Sequence, residues 1–291
     1  MKPLRYAYLA REQVPQIFEA FREAFADYAV SISGVQEQAF LNRMVKNGVD
    51  FAASAGAFDE ERLVGFALTG LDRWDGEPAA FDACTGIVPG YRGFGVAPAI
   101  IERVLAALRA RGVRRYLLEV LQGNRPAVST YRKMGFRVTR DFDCLQLPLE
   151  RARPAPPARL ADLAIEPVGK DLLPRFESFG DWRPSWENSF SSIARIPDGV
   201  VILGARRDGR WVGFAAYYPG MNWILDVAVD REHRRRGIAT ALLGRLVEPL
   251  AGIVPAVKMV NVDHGDAGTL AWLAGAGFEV YARQYEMELS L

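Results

Sequence analysis

The feature that most constrains this chain is a repeat of long period. Arg92-Gly93-Phe94-Gly95-Val96-Ala97 and Arg234-Arg235-Arg236-Gly237-Ile238-Ala239 share the pattern R-x-x-G-x-A and stand 142 residues apart. Gly135-Phe136 and Gly277-Phe278 are also 142 apart, so neither copy carries an insertion between these landmarks. Upstream, Val64-Gly65-Phe66-Ala67 and Val212-Gly213-Phe214-Ala215 are 148 apart, which makes the second copy six residues shorter around Trp74-Asp75-Gly76. A repeat of this length is a duplicated domain rather than a solenoid unit, and 291 residues accommodate two domains.

Each loop has the same surroundings. A β-branched run ending at Ile87-Val88 leads into the first, and apolar residues of helical period follow: Val96, Ile100, Ile101, Val104, Leu105 and Leu108. Val229 leads into the second, with Ile238, Ala241, Leu242, Leu246 and Leu250 after it. Strand, glycine loop and helix together aim backbone N–H groups and the positive helix end at one point, which makes an anion site.

The rest of the pattern is mixed α/β. In the first copy it predicts a strand at 4–10, helices at 12–27 and 36–45, and strands at 51–58, 62–69 and 80–88 with a loop at 71–78. A strand at 114–121, a short helix at 124–134 and strands at 136–139 and 143–149 complete it. The second copy repeats this order, with helix candidates at 172–179 and 186–196 ahead of strands at 200–206, 211–218 and 222–229. The three prolines in Arg151–Ala161 read as a semi-rigid linker, so the expected domains are 1–150 and 163–291 with a linker at 151–162.

Composition excludes several classes. Lys+Arg 36 against Asp+Glu 35 gives no basic excess for nucleic acid or a membrane surface. Cys84 and Cys144 lie in apolar runs and read as buried thiols in a reducing compartment. There is no apolar leader and no run of membrane length, so the expected location is cytoplasmic. His233 and His264 belong to no metal-ligand cluster and read as surface residues.

These residues resemble the GNAT superfamily of acyl-CoA-dependent N-acetyltransferases, twice over. The first copy follows Val88-Pro89-Gly90-Tyr91-Arg92 with Leu118-Glu119-Val120, Asn124, Ala127, Tyr131 and Gly135-Phe136, in the family's order and spacing. The resemblance implies two domains, each a twisted mixed sheet with helices on both faces, in which two parallel strands splay and acetyl-CoA lies in the gap. It implies that Arg92 to Ala97 and Arg234 to Thr240 hold the CoA pyrophosphate. The N–H of Ile87 or Val88 in the first copy would face the acetyl carbonyl, and Val229 in the second copy would belong to the coenzyme site. Asn124 would cap its helix and contact CoA.

Amine acetylation needs a base for the amine, a donor for the oxyanion and a proton for the departing thiolate. The resemblance casts Glu119 as base and Tyr131 as acid. At the second copy's matching positions stand Asn261, Asp266 and Leu273 in place of Glu119, Asn124 and Tyr131. The first copy is therefore expected to do the chemistry, by direct attack, and the second to be degenerate. The second has the fuller phosphate loop, with Thr240 and three arginines, whereas Pro98 removes one N–H from the first. The expected acceptor is a small-molecule or peptide amine, and the expected assembly a monomer or homodimer. The competing class is a CoA-binding sensor or scaffold without turnover. A dinucleotide-binding module is disfavoured, because no G-x-G-x-x-G follows the first strand. Tyr28, Trp74 and Trp182 fall in segments expected to flank the acceptor.

Overall fold

The computed structural model describes residues 3–27, 34–151 and 162–291. Tyr28 and most of the expected linker lie outside the described residues. The chain forms two compact units, residues 1–139 with 286–291 and residues 140–285.

In unit 1, β1 (Arg5–Tyr8), β2 (Ala55–Asp59), β3 (Arg62–Trp74) and β4 (Glu77–Ile87) run antiparallel in that order, and β5 (Arg115–Leu121) joins β4 in parallel. The expected loop at 71–78 is instead strand, because β3 and β4 continue to a two-residue turn at Asp75-Gly76. Both turn residues have positive φ, 53° and 76°, as a type I′ hairpin requires, so the Asp-Gly pair sets the register. Trp74, expected in a loop, is therefore a buried strand residue. The expected strand at 51–58 begins as a 3-10 turn, Phe51–Ala53, closed by the Asp50 carboxylate accepting from Ala53 N at 3.0 Å.

Helices cover both faces. On one, α1 (Val14–Ala24) and α2 (Glu37–Lys46) press Ile17, Phe21, Phe40 and Met44 onto Phe58, Phe66 and Leu68. On the other, α3 (Val96–Ala110) buries Val96, Ile100, Val104 and Leu108. Gly65 makes this approach possible, since a Cβ there would stand 2.7 Å from Ile87 and 3.1 Å from Ile100. The short helix α4 (Arg125–Lys133) follows β5.

Unit 2 repeats the plan. β7 (Ala164–Pro167), β8 (Val201–Arg207), β9 (Arg210–Tyr218) and β10 (Trp223–Val229) are antiparallel neighbours, and β11 (Ala256–Asp263) joins β10 in parallel. One face carries α5 (Leu173–Phe176) and α6 (Phe190–Arg195), both shorter than the sequence predicts and flanked by 3-10 turns. The other carries α7 (Ile238–Val247) and α8 (Ala267–Ala276), with Gly213 lying under Ile238 as Gly65 lies under Ile100.

The units divide at Thr139/Arg140, not in the proline segment. β6 (Arg137–Pro148) is one continuous strand, and from Phe142 to Pro148 it pairs antiparallel with β11 in unit 2. β12 (Glu279–Ser290) returns residues 286–290 to unit 1, where Leu291 N donates to Arg114 O at 2.9 Å and Arg115 meets Glu288 at 3.0 Å. Each unit's sheet is thus completed by the other copy's last strand.

Candidate active site

The sheet of unit 1 opens at its parallel pair. β4 and β5 pair from Ala79↔Arg115 to Asp82↔Leu118 and part beyond. On its other edge β4 carries a bulge at Ala83, where Leu68 faces Cys84 and Thr69 faces Asp82. The result is a notch with Asp82 at its apex. At the far end of β4, Val88 N–H donates to Val64 O at 3.0 Å. Ile87, opposite Gly65, is the neighbouring rung, so its N–H points to the other edge of the strand, toward the notch. Of the two expected oxyanion donors, Ile87 is the one whose N–H faces the opening.

Glu119 is the first β5 residue past the last pair. Strand alternation sets it with Leu117 and Leu121, on the face opposite Tyr116 and Val120. Asn124 begins α4, and its Oδ1 accepts from Ala127 N at 3.3 Å, the capping role expected of it. Tyr131 is buried on α4, with Phe136 against its ring at 5.5 Å, edge to face. Its hydroxyl donates to Asp82 Oδ2 at 3.1 Å, and the Thr85 hydroxyl donates to the same oxygen at 2.7 Å. The Tyr116 and Thr69 hydroxyls pair beside them at 3.3 Å. Asp82 Oδ1 is buried with no hydrogen-bond partner. Burial pushes Asp82 up to about 6, with the Thr85 and Tyr131 hydroxyls pulling it back. Burial, then the Asp82 charge, holds Tyr131 well above the usual phenol range. Asp82 was missed in the sequence. Its signal was one carboxylate in the apolar run Ala79-Ala80-Phe81-Asp82-Ala83-Cys84.

The glycine loop lies at the end of β4. Gly93 and Gly95 have φ of 81° and 77°, and open space surrounds the place of a Cβ on either. Phe94 between them is 66% exposed. Val96 and Ala97 begin α3, where N–H groups have no intrahelical acceptor. Arg92 departs from its expected role as a phosphate ligand. Its Nε donates to Ile87 O at 3.0 Å, and its two terminal nitrogens bond Asp27 at 2.7 and 2.9 Å and Ala24 O at 2.7 Å. The guanidinium is committed to the chain.

Unit 2 has the same frame with other side chains. β10 and β11 pair only at Trp223↔Lys258, β10 has its bulge at Leu225, and Asp230 N donates to Val212 O at 3.0 Å, leaving Val229 N–H toward the open edge. Gly237 begins α7 with φ 85°. Arg235 matches Gly93 and holds the same left-handed conformation, φ 60°. Arg234 is committed as Arg92 is, with Nε on Val229 O at 2.9 Å, one terminal nitrogen on Phe179 O at 2.7 Å and the other on Asp181. Arg236 donates to Glu232 O at 3.0 Å. Ile238 is buried, Ala239 partly so, and the Thr240 hydroxyl accepts from Trp272 Nε1 at 3.1 Å.

At the position of Glu119, Asn261 is buried at a bulge of β11 with φ 58°. Its Nδ2 donates to Ser185 Oγ at 3.2 Å and its Oδ1 accepts from Gln284 at 3.0 Å. Asp266 caps α8 through Thr269 N at 3.0 Å, so the cap survives the change from Asn. Leu273 is core. Sequence reasoning also missed Asp226, a partly buried carboxylate on β10 beside the bulge, which burial pushes up to about 7 against the pull of the Val227 N–H. His233 bonds Asp230 at 3.0 Å, and His264 and Arg283 bond the buried Asp143 at 2.7 and 2.8 Å. Burial raises Asp143, but those two partners outweigh it and hold the carboxyl below its usual range. Among the described residues there is no metal-ligand cluster and no helix long and apolar enough to cross a membrane.

Comparison with known proteins matches both halves of the chain to one family. The profile of the acetyltransferase (GNAT) family matches residues 14–136 and 166–278. A mycothiol acetyltransferase of Thermobifida fusca is 32% identical over 124 residues, 40% of this chain and 38% of that protein. A streptothricin acetyltransferase of Streptomyces lavendulae is 34% identical over 74 residues, 25% of this chain and 38% of that protein. The matches thus span about two fifths of these relatives' length. Among solved structures, a tandem GNAT protein from the clavulanic acid biosynthesis pathway superposes with TM-score 0.75 at 19% identity, covering 99% of this chain and 98% of that one. A GCN5-related N-acetyltransferase from Sphaerobacter thermophilus gives TM-score 0.75 at 18% identity, covering 100% and 96%.

Proposed function

From the premise that this chain belongs to the acetyltransferase (GNAT) family through both of its halves, we propose that it moves an acetyl group from acetyl-CoA to a primary amine of a small molecule or peptide, in unit 1. The observation that carries the reading is the notch of unit 1. It gathers an N–H at Ile87, a carboxylate at Glu119 just beyond the last strand pair, and a phenol at Tyr131 whose hydroxyl is held at the apex residue Asp82.

The steps follow from these groups. N–H donors at the start of α3 take the pyrophosphate of CoA in place of water. The thioester lies along β4 with its carbonyl toward Ile87 N–H. Glu119 takes a proton as the neutral amine attacks from its face of β5, and the Ile87 N–H stabilises the oxyanion. When the C–S bond breaks, Tyr131 gives its proton to the thiolate. The attack is direct, with no covalent acyl-enzyme, since neither Cys84 nor Cys144 stands in a sequence motif with a histidine.

Unit 2 keeps the loop and the open strand pair, but Leu273 offers no proton and Asn261 no base. Its role in this reading is to hold CoA. One observation favours a second reading. Asp226 borders the unit 2 notch and titrates near neutrality, as a base for an amine would.

The test is an acceptor screen that follows thiol release from acetyl-CoA. An amine-dependent signal that falls at least tenfold in Tyr131→Phe supports unit 1. A signal that survives Tyr131→Phe and is lost in Asp226→Asn moves the chemistry to unit 2. Binding of acetyl-CoA with no release for any amine returns the protein to the sensor class.

A further inference from the structure

The same three-way clamp is built twice. In unit 1 the Arg92 guanidinium joins Ile87 O, Ala24 O and Asp27 at 2.7 to 3.0 Å. In unit 2 the Arg234 guanidinium joins Val229 O, Phe179 O and Asp181. Ile87 and Val229 are the last residues of β4 and β10, whose N–H groups face their notches. Ala24 is the last residue of α1, and Phe179 the last of the turn after α5. The acidic partners lie 65 and 53 residues upstream of their arginines, so two different chain lengths converge on one geometry.

Stability does not explain this clamp well. The unit 1 ion pair is largely exposed, with side chains 41% and 59% accessible for Arg92 and Asp27, the unit 2 pair is 33% and 39% accessible, and exposed pairs contribute little. What a planar fork of five donors supplies is geometry: it fixes three elements at once. They are the strand end that carries the oxyanion donor, the end of the first helix or the turn after it, and the acidic residue that follows.

In unit 2 that segment can be followed to the notch. Asp181 is four residues from Ser185, which accepts from Asn261 at 3.2 Å. Three residues later, buried Asn188 donates to Val260 O at 2.7 Å. Val260 adjoins Asn261 at the bulge of β11, beyond the Trp223↔Lys258 pair after which β10 has parted from it. Asn188 Oδ1 is buried there without a hydrogen-bond partner among the described residues. The segment thus runs along the chain from Asp181 at the fork to Ser185, whose carbonyl accepts from Asn188 N at 3.1 Å.

We propose that Arg92 and Arg234 are positioning residues that couple occupancy of their own unit's glycine loop to the segment ending at Asp27 or Asp181, so that in unit 1 CoA fixes the wall against which the acceptor amine binds. This rests on the reading that the loops hold CoA. A phosphate-bound loop has fewer conformations, and the fork transmits that restriction to Ala24–Asp27 and Phe179–Asp181. In unit 2 the same restriction reaches the stretch that carries Asn188 and its buried amide oxygen.

The test is amide hydrogen exchange on the full chain with CoA alone as probe, in wild type, Arg92→Lys and Arg234→Lys. Lysine keeps the charge and loses the fork. In wild type, CoA slows exchange at least threefold in the glycine loops and also in residues 21–27 and 176–181. In each lysine variant, loop protection by CoA remains, its Kd shifts less than threefold, and the added protection of that unit's upstream segment disappears. A purely structural strut would speed exchange of the segment with and without CoA and leave the CoA-dependent difference intact, which overturns the proposal. Loss of CoA affinity by tenfold or more in the lysine variants overturns it too, because the arginines are then phosphate ligands. No protection anywhere in wild type refutes the coenzyme reading itself, a result distinguishable from either.

Discussion

Asp82 gives the sharpest test of the unit 1 site, because its environment sets a number. The carboxyl is buried at the apex of the notch, and burial lifts it from 3.8 to about 6 even with two hydroxyls bonded to it. The folded protein therefore holds a proton on Asp82 more tightly than the unfolded chain does. Between those two pH values the native state binds more protons, so its stability falls as pH rises through the window. The cost is absent well below pH 3.8, about 1 kcal/mol at pH 4.5 and complete above pH 6, where 2.2 units of pKa correspond to about 3 kcal/mol. Asp82→Asn keeps the shape and removes the titration. Relative to wild type, the variant should therefore gain about 2 kcal/mol between pH 4.5 and pH 7.5. Urea unfolding followed by circular dichroism at both pH values measures that difference. A direct 13C titration of the Asp82 carboxyl should give a midpoint near 6 in wild type. A stability difference that does not change with pH, or a midpoint near 4, would refute the argument that the apex is desolvated. The same carboxylate bears on catalysis. With Asp82 ionised, a tyrosinate at 131 would face a like charge within 3.1 Å. Proton donation by Tyr131 is thus easiest while Asp82 is protonated, so this argument expects the proton-donation step to slow as pH rises through about 6 in wild type and not in Asp82→Asn.

Other outcomes follow from single contacts. Tyr131→Phe removes one of the two hydroxyls that hold Asp82 down, so the carboxyl should titrate above 6 by NMR while thiol release drops at least tenfold. Pro98→Ala adds an N–H to the first turn of α3, and calorimetry should find CoA bound about tenfold more tightly at unit 1, as one more hydrogen bond to an anion contributes about 1.5 kcal/mol. Arg235→Gly relieves a left-handed backbone at φ 60° and should stabilise unit 2 by about 1 kcal/mol, read as a shift in the urea midpoint. If Arg235 instead meets phosphate, the same variant loses CoA affinity.

What the sequence made legible is what depends on local pattern. The glycine loops, the helices after them and the duplication itself rest on period and on residues that tolerate φ near +80°, and each is found where the pattern puts it. The Asp-Gly turn at 75–76 was equally local, yet the flanking polar residues Asp72 and Arg73 hid the strands that continue to it. The apex is different. Tyr131 and Asp82 are 49 residues apart, and nothing local says that a phenol will donate to a carboxylate rather than face an opening. The arginine clamp has the same character, because a guanidinium beside a glycine loop looks like a phosphate ligand until its partners 65 and 53 residues upstream are known.

The exchanged strands were hidden for a deeper reason. Residues 137–148 and 279–290 are the same element of two copies 142 residues apart, so both carry a pattern fit for either sheet. Periodicity decides which face of a strand is buried, and it is silent on which of two equivalent sheets the strand joins. What decides is pairing. Phe142 to Pro148 has a partner in β11 across from Ala256 to Asp263, and Arg114 and Arg115 find theirs in Leu291 and Glu288. A duplicated chain therefore specifies its fold more strongly than its connectivity. In this protein the last six residues complete the unit proposed to do the chemistry. Removing residues 286–291 should then destabilise unit 1, whose other residues end at Thr139, 147 positions before Glu286, and leave the melting of unit 2 nearly unchanged.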